Sequence, residues 1–127
     1  MGTNGKQDQR EAAFGALRQI LTPYAAHMTV DRDEPDDYYL TAGVHPRTGK
    51  PTFFGAAQIK KSYVSFHLMP VYIYPDLLEA ASESLRSRMQ GKSCFNFRAP
   101  DQALFDELAE LTRRGFERYE SEGLLPK

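Results

Sequence analysis

The densest group of side chains that could do chemistry is an acidic run in the first third of the chain. Five carboxylates and one guanidinium occupy positions 31–37, and the carboxylates are Asp31, Asp33, Glu34, Asp36 and Asp37. Hard cations such as Ca²⁺, Mg²⁺ and ferrous iron prefer oxygen ligands, so this run is a candidate site for a labile metal ion. The commoner explanation of such a run is a solvated loop, which Pro35 also favours.

A second candidate site lies in two segments that alternate between apolar and polar side chains. The polar positions are Tyr63, Ser65 and His67 in the first segment, and Cys94 and Asn96 in the second. Because successive side chains of a strand point to opposite faces, each polar set should share the face turned away from the core. If the two strands are neighbours, they form a hydrogen-bonding surface with an imidazole that titrates near neutrality. The ordinary alternative for His67 is a structural hydrogen bond or an interface contact.

Cys94 raises the further hypothesis of a thiol nucleophile with His67 as its base, since a catalytic pair need be adjacent only in space. The alternative is a small buried hydrophobe, the usual role of a free cysteine. As the only cysteine of the chain, Cys94 cannot form an internal disulfide and fits a reducing compartment.

Tyr72 and Tyr74 flank Ile73 just before Pro75. Each tyrosine presents an apolar ring and a polar tip, as side chains at ligand mouths and interfaces do. We include both in the predicted binding set, with a packed loop as the alternative.

The composition restricts the class of protein. With 127 residues, 41% of them hydrophobic and 26% charged, the chain is typical of one globular domain. Sixteen basic and seventeen acidic residues give a net charge of −1, which argues against a nucleic-acid-binding protein. No apolar run approaches the roughly 20 residues that span a bilayer, so we expect a cytoplasmic protein without a membrane partner.

The elements that must position these side chains follow from hydrophobic period and turn residues. A first helix is predicted from Asp8, which has capping-box spacing to Glu11, and Pro23 should restart it with Thr22 as the N-cap. The remaining predictions are strands at 37–44, 52–60 and 63–70, an amphipathic helix from Pro75 to Gly91, a strand at 93–97, and a helix from Asp101 to Gly123.

This order, α-β-β-β-α-β-α, predicts an α+β protein. Short connections favour antiparallel neighbours, so the expected architecture is a single antiparallel sheet with helices packed mainly on one face. Residues 1–7 are predicted to be a disordered tail, and residues 8–127 a single domain.

Four segments of the chain resemble the YdhG-like family of small bacterial proteins. They are Leu21-Thr-Pro23, Pro51-Thr-Phe-Phe54, Lys61-Ser-Tyr-Val-Ser-Phe-His-Leu68 and Gly91-Lys-Ser-Cys-Phe-Asn-Phe97. This family is largely of unknown function and has been described as frataxin-like. The resemblance implies a compact antiparallel-sheet fold, an intracellular location and no catalytic constellation to transfer. One member has been called an iron chaperone, so the resemblance also makes iron handling an expectation.

The leading hypothesis is a non-enzymatic domain that recognises a small ligand or a protein partner, including a second copy of itself, through the sheet face of His67. One alternative is a frataxin-like iron-binding chaperone that uses residues 31–37. The other is a thiol enzyme that uses Cys94 and His67.

Overall fold

The computed structural model describes residues 5–126, with side chains described from residue 9 onward. The helices are α1 (Gly5–Leu21), α2 (Met69–Ile73), α3 (Glu83–Arg86) and α4 (Gln102–Ser121), with 3₁₀ segments at Thr22–His27 and Pro75–Ala80. The strands are β1 (Thr29–Glu34), β2 (Asp37–Val44), β3 (Pro51–Ile59), β4 (Val64–Leu68), β5 (Met89–Gln90) and β6 (Cys94–Phe97).

The six strands form one open antiparallel sheet in the order β1-β2-β3-β4-β6-β5. This confirms the predicted α+β class, with helices and a single antiparallel sheet. The three predicted strands of the first half and the strand before the last helix are all present. The structure adds two strands that the sequence did not predict, β1 and β5, one at each edge.

The hydrophobic core lies between one face of the sheet and the long helices. Each of the central strands β2, β3, β4 and β6 contributes one set of buried side chains to it. From the helices come Leu17 and Leu21 of α1 and Leu108 of α4, all fully buried. The core-facing residues of β4 and β6 are Val64, Phe66, Leu68, Phe95 and Phe97, at 0–1% exposure. The predicted alternation of these two strands is therefore confirmed.

The last helix forms as predicted. Asp101 caps α4, since its Oδ1 accepts a hydrogen bond from the backbone N–H of Leu104 at 3.2 Å. Gly123 follows the helix with φ of +75°, a conformation that costs glycine little.

The beginning of the chain differs from the prediction. Helix α1 starts at Gly5 and not at Asp8, so residues 5–7 of the predicted tail are helical. Residues 1–4 of that tail lie outside the described residues. Pro23 does end α1, but the hydroxyl of Thr22 donates to the carbonyl of Gln19 at 3.2 Å, and Leu21 takes the N-cap position of the 3₁₀ segment.

The predicted helix from Pro75 to Gly91 is wrong. The segment divides into the 3₁₀ turns, α3 and β5, with Gly91 in the β5–β6 turn at φ +79°. The division falls at Ser82, which has an extended backbone and whose hydroxyl oxygen caps α3 by accepting the N–H of Leu85 at 3.1 Å. The carboxylate of Glu107 in α4 accepts hydrogen bonds from the N–H and hydroxyl of Ser82 at 2.9 and 2.7 Å. A tertiary contact therefore replaces the hydrogen bonds that a continuous helix would make.

The acidic run is also not the predicted loop. Residues 29–34 form β1, which pairs with β2, and only Pro35 and Asp36 form the turn between them. Proline suits a tight turn because its fixed φ is already turn-like. All six residues of β1 are exposed, as expected of a charged edge strand.

Candidate functional site

The candidate site is the face of the sheet opposite the core, which we call the open face. Its residues on the four central strands are Asp37, Tyr39, Thr41, Phe53, Ala56, Gln58, Ser65, His67, Cys94 and Asn96. Strand register aligns them in rows across the sheet. Tyr39, Ala56, His67 and Cys94 form one row. Asp37, Gln58, Ser65 and Asn96 form the next row. Because β4 and β6 are paired, the two predicted polar segments lie side by side.

A line of stacked groups crosses the open face, and we call it the ring row: Arg32, Tyr39, Phe53, His67 and Ser93. The guanidinium of Arg32 lies over the Tyr39 ring, 4.2 Å from its centroid. Tyr39 stacks on Phe53 with centroids 4.5 Å apart and planes at 25°. Phe53 meets His67 edge to face at 4.8 Å and 78°. The rings therefore stand against each other on the sheet instead of lying flat on it.

His67 completes the ring row through a hydrogen bond. Its Nε2 lies 2.7 Å from Oγ of Ser93, which is buried at 8% exposure in the β5–β6 turn. Desolvation lowers the pKa of His67 below its usual value, so the imidazole is neutral at pH 7. A neutral imidazole adds no charge to the open face.

Cys94 lies directly opposite His67 in the register of β4 and β6. The two residues of the hypothetical thiol pair are thus neighbours, as the sequence alone could not establish. The His67 ring forms its hydrogen bond with Ser93 and not with the thiol. Cys94 is half-buried and free.

The charged and amide side chains of the open face pair with one another. Asp37 accepts from Nε of Arg32 at 2.6 Å and from Nε2 of Gln58 at 3.1 Å. Asn96 donates to Oε1 of Gln90 at 2.9 Å. The guanidinium of Arg32 and the carboxylate of Asp37 form an ion pair. Glu34 faces Asp37 in the β1–β2 register and places one further carboxylate at this edge of the open face.

The structure places the predicted binding residues in different parts of the fold. His67, Cys94 and Asn96 share the open face as expected. Ser65 also belongs to it but is buried at 8% exposure, beneath the larger side chains around it. Tyr63 lies just before β4, in the turn where its carbonyl accepts from the N–H of Lys60 at 2.7 Å.

Tyr72 and Tyr74 do not lie on the open face with His67, Cys94 and Asn96. Helix α2, which includes Val71 to Ile73, packs on the core side of the sheet. Tyr74 packs there against Tyr119 at 6.4 Å, with the guanidinium of Arg118 over its ring at 4.4 Å. Tyr72 is exposed on α2.

Four of the five members of the ring row were not predicted from the sequence. The position of Tyr39 on the open face could have been predicted. Tyr39 lies between Tyr38 and Leu40, which are both buried, so its side chain points to the opposite face of β2. Phe53 gave no such signal, because a bulge between β2 and β3 shifts the register beside it. Ser93 and Arg32 are recognisable only once turn and strand are paired in space.

The acidic residues do not assemble into a metal site. The Arg18 guanidinium pairs with Asp33 at 3.0 Å, Arg32 pairs with Asp37, and the Thr41 hydroxyl donates to Asp31. Among the side chains that the structure describes, no group of three or more His, Cys, Asp or Glu residues is placed to hold a metal ion. The iron-carrier hypothesis therefore gains no support from the geometry.

No family model, curated protein or solved structure matches the chain. The resemblance to the YdhG-like family accordingly remains an expectation. None of the helices within residues 5–126 carries an apolar stretch long enough to cross a bilayer.

Proposed function

We propose that the protein is a non-enzymatic binding module whose open face docks a second copy of the same chain. The observation that carries this proposal is the ring row, an ordered aromatic surface opposite the hydrophobic core, in which the cation Arg32 is paired with Asp37. Tyrosine and arginine are enriched in protein interfaces, where rigid aromatic groups lose little entropy on binding.

The stacking favours a protein partner over a planar ligand or a nucleic-acid base. The two faces of the Tyr39 ring are covered by Arg32 and Phe53. A base could stack on Tyr39 only by displacing one of them. A protein partner needs only the ring edges and the polar tips, which the row presents as it stands.

Charge and hydrogen-bonding capacity favour a second copy as that partner. The charges of Arg32 and Asp37 offset each other, and the open-face side chains of β3, β4 and β6 carry no formal charge. The centre of the face therefore presents no like charges to a second copy. The amides of Gln58 and Asn96 both donate and accept hydrogen bonds, so a surface that bears them is complementary to itself. A two-fold dimer needs this self-complementarity.

The size of the open face predicts a weak dimer. Four strands span about 19 Å, and a five-residue strand about 17 Å, which is a projected area of about 300 Å². Stable complexes bury about 800 Å² per partner. We therefore expect dissociation constants in the micromolar to millimolar range, where transient homodimers fall.

Sedimentation velocity over about 1 μM to 1 mM protein tests the proposal. The wild-type chain should shift from monomer to dimer with increasing concentration. Gln58→Lys adds one positive charge to each open face and should weaken association at least about tenfold. Gln19→Lys makes the same change on the exposed surface of α1 and should leave association unchanged. A wild-type chain that stays monomeric throughout, or equal effects of the two lysines, would overturn the proposal.

A further inference from the structure

A cleft of about 800 Å³ opens beside the sheet, and no residue of the ring row lines it. Its walls are the end of β2, the β2–β3 loop at residues 45–50 and the C-terminal segment 123–126. The volume lies within the range of small-molecule sites, about 300–1,000 Å³.

Backbone contacts hold the C-terminal wall of the cleft in place. Gly123 turns the chain after α4, and the carbonyl of Leu124 then accepts the N–H of Gly43 at 2.7 Å. A Cβ on Gly43 would stand 2.5 Å from the carbonyl carbon of Leu125, so only glycine permits this approach. The wall therefore belongs to the folded structure and needs no ligand to form.

The β2–β3 loop forms the opposite wall and is closed by its own hydrogen bonds. His45 N–H donates to the carbonyl of Lys50 at 2.8 Å, and the N–H of Gly49, at φ +71°, donates to the carbonyl of His45 at 2.9 Å. Nδ1 of His45 accepts the N–H of Arg47 at 3.0 Å.

The lining of the cleft combines apolar walls with one carboxylate. Val44 is 60% exposed there, a large value for an aliphatic side chain, and Leu125 and Pro126 face the same space. Asp31 is the acidic residue of the lining, and it accepts a hydrogen bond from Thr41. A carboxylate has about four acceptor positions, so Asp31 retains capacity for a donor from a ligand.

We propose that this cleft binds a small primary alkylammonium. The ammonium group donates to Asp31, and the alkyl chain lies against Val44 and Leu125. The charge of Asp31 disfavours a carboxylate or phosphate ligand in the same place. An uncharged alcohol of equal length keeps the apolar contacts but loses the ion pair.

Titration of the ¹⁵N-labelled protein with hexylammonium, hexanol and hexanoate tests this assignment by NMR. Hexylammonium should shift the amide signals of Gly43, Val44 and Gly49 saturably, with millimolar affinity as expected of so small a ligand. Hexanol cannot form the ion pair with Asp31. It should therefore bind up to about fivefold more weakly, which is the contribution of an exposed ion pair to affinity. Hexanoate should give no saturable shift.

Two matched variants identify the carboxylate. Asp31→Asn should remove the preference for hexylammonium over hexanol. Asp36→Asn makes the same charge change in the turn of the same hairpin, outside the lining, and should retain that preference. Equal behaviour of the two variants, equal binding of hexanoate, or absence of saturable shifts in the wild type would overturn the proposal. Gln58→Lys should leave amine binding unchanged, so this result stands apart from dimerisation.

Discussion

Two helical glycines offer a sharp test of the packing, because helix propensity and tertiary structure predict opposite signs for one of them. Gly15 lies in α1 and Gly115 in α4. A Cβ on Gly15 would meet no atom within 4 Å. A Cβ on Gly115 would stand 2.8 Å from Cβ and 2.9 Å from Cγ of Pro70, in the buried contact between α4 and α2.

Replacing a helical glycine by alanine gains about 1 kcal/mol of helix propensity. Gly15→Ala should therefore raise the free energy of unfolding by about 0.5–1 kcal/mol. At Gly115 the added methyl overpacks against a proline ring, which has no rotamer to move away. Overpacking costs about 1–3 kcal/mol, which outweighs the propensity gain. Gly115→Ala should therefore lower stability by up to about 2 kcal/mol.

Urea unfolding followed by circular dichroism measures both variants, and thermal unfolding should agree. For a chain of this length about 1 kcal/mol corresponds to roughly 3–6 °C in Tm. The two variants should thus move in opposite directions from the wild type. If Gly115→Ala stabilises the protein as much as Gly15→Ala does, the close contact of α4 with Pro70 is wrong.

Three further outcomes follow from partly buried hydrogen bonds. Tyr119→Phe removes the 2.7 Å hydrogen bond from the buried phenol to the carbonyl of Phe53. It should lower the free energy of unfolding in urea by about 1–2 kcal/mol, and no loss would mean that the bond is absent. Burial raises the pKa of Tyr119, so the unfolded chain loses its phenol proton first. Stability should accordingly fall as pH rises above about 10, less steeply in Tyr119→Phe, and parallel pH profiles would contradict this. Ser82→Ala removes both the cap to Leu85 N–H and a hydrogen bond to Glu107, and should cost about 1–2 kcal/mol; an unchanged urea midpoint would refute this account of the break before α3.

The elements that sequence analysis placed correctly are those with strong local signals. In β4, apolar and polar residues alternate with a period of two, which only a half-buried strand satisfies. In α4, a helical apolar stripe is bounded by Asp101 and Gly123, and both ends were found. These signals depend on a few neighbouring residues, so the sequence contains them completely.

The segment from Pro75 to Gly91 shows where local pattern fails. Its apolar residues have helical spacing, yet Leu77 and Leu85 reach the core from two separate short turns. Glu107 fixes the break at Ser82 from a distance of 25 residues along the chain. β1 was not predicted from the sequence for a related reason. All six of its residues are exposed, so burial imposes no alternation on it, and only pairing with β2 makes it a strand.

For the candidate site, the sequence alone determined that His67 points away from the core, because the alternation of β4 requires it. Which groups surround His67 was decided by strand register and turn geometry, which bring Phe53 and Ser93 to it from 14 and 26 positions away. The β1–β2 pairing in turn places Arg32 over Tyr39. A local pattern specifies a direction for each side chain, whereas contacts between distant residues depend on the closing of the whole sheet, which no single segment encodes.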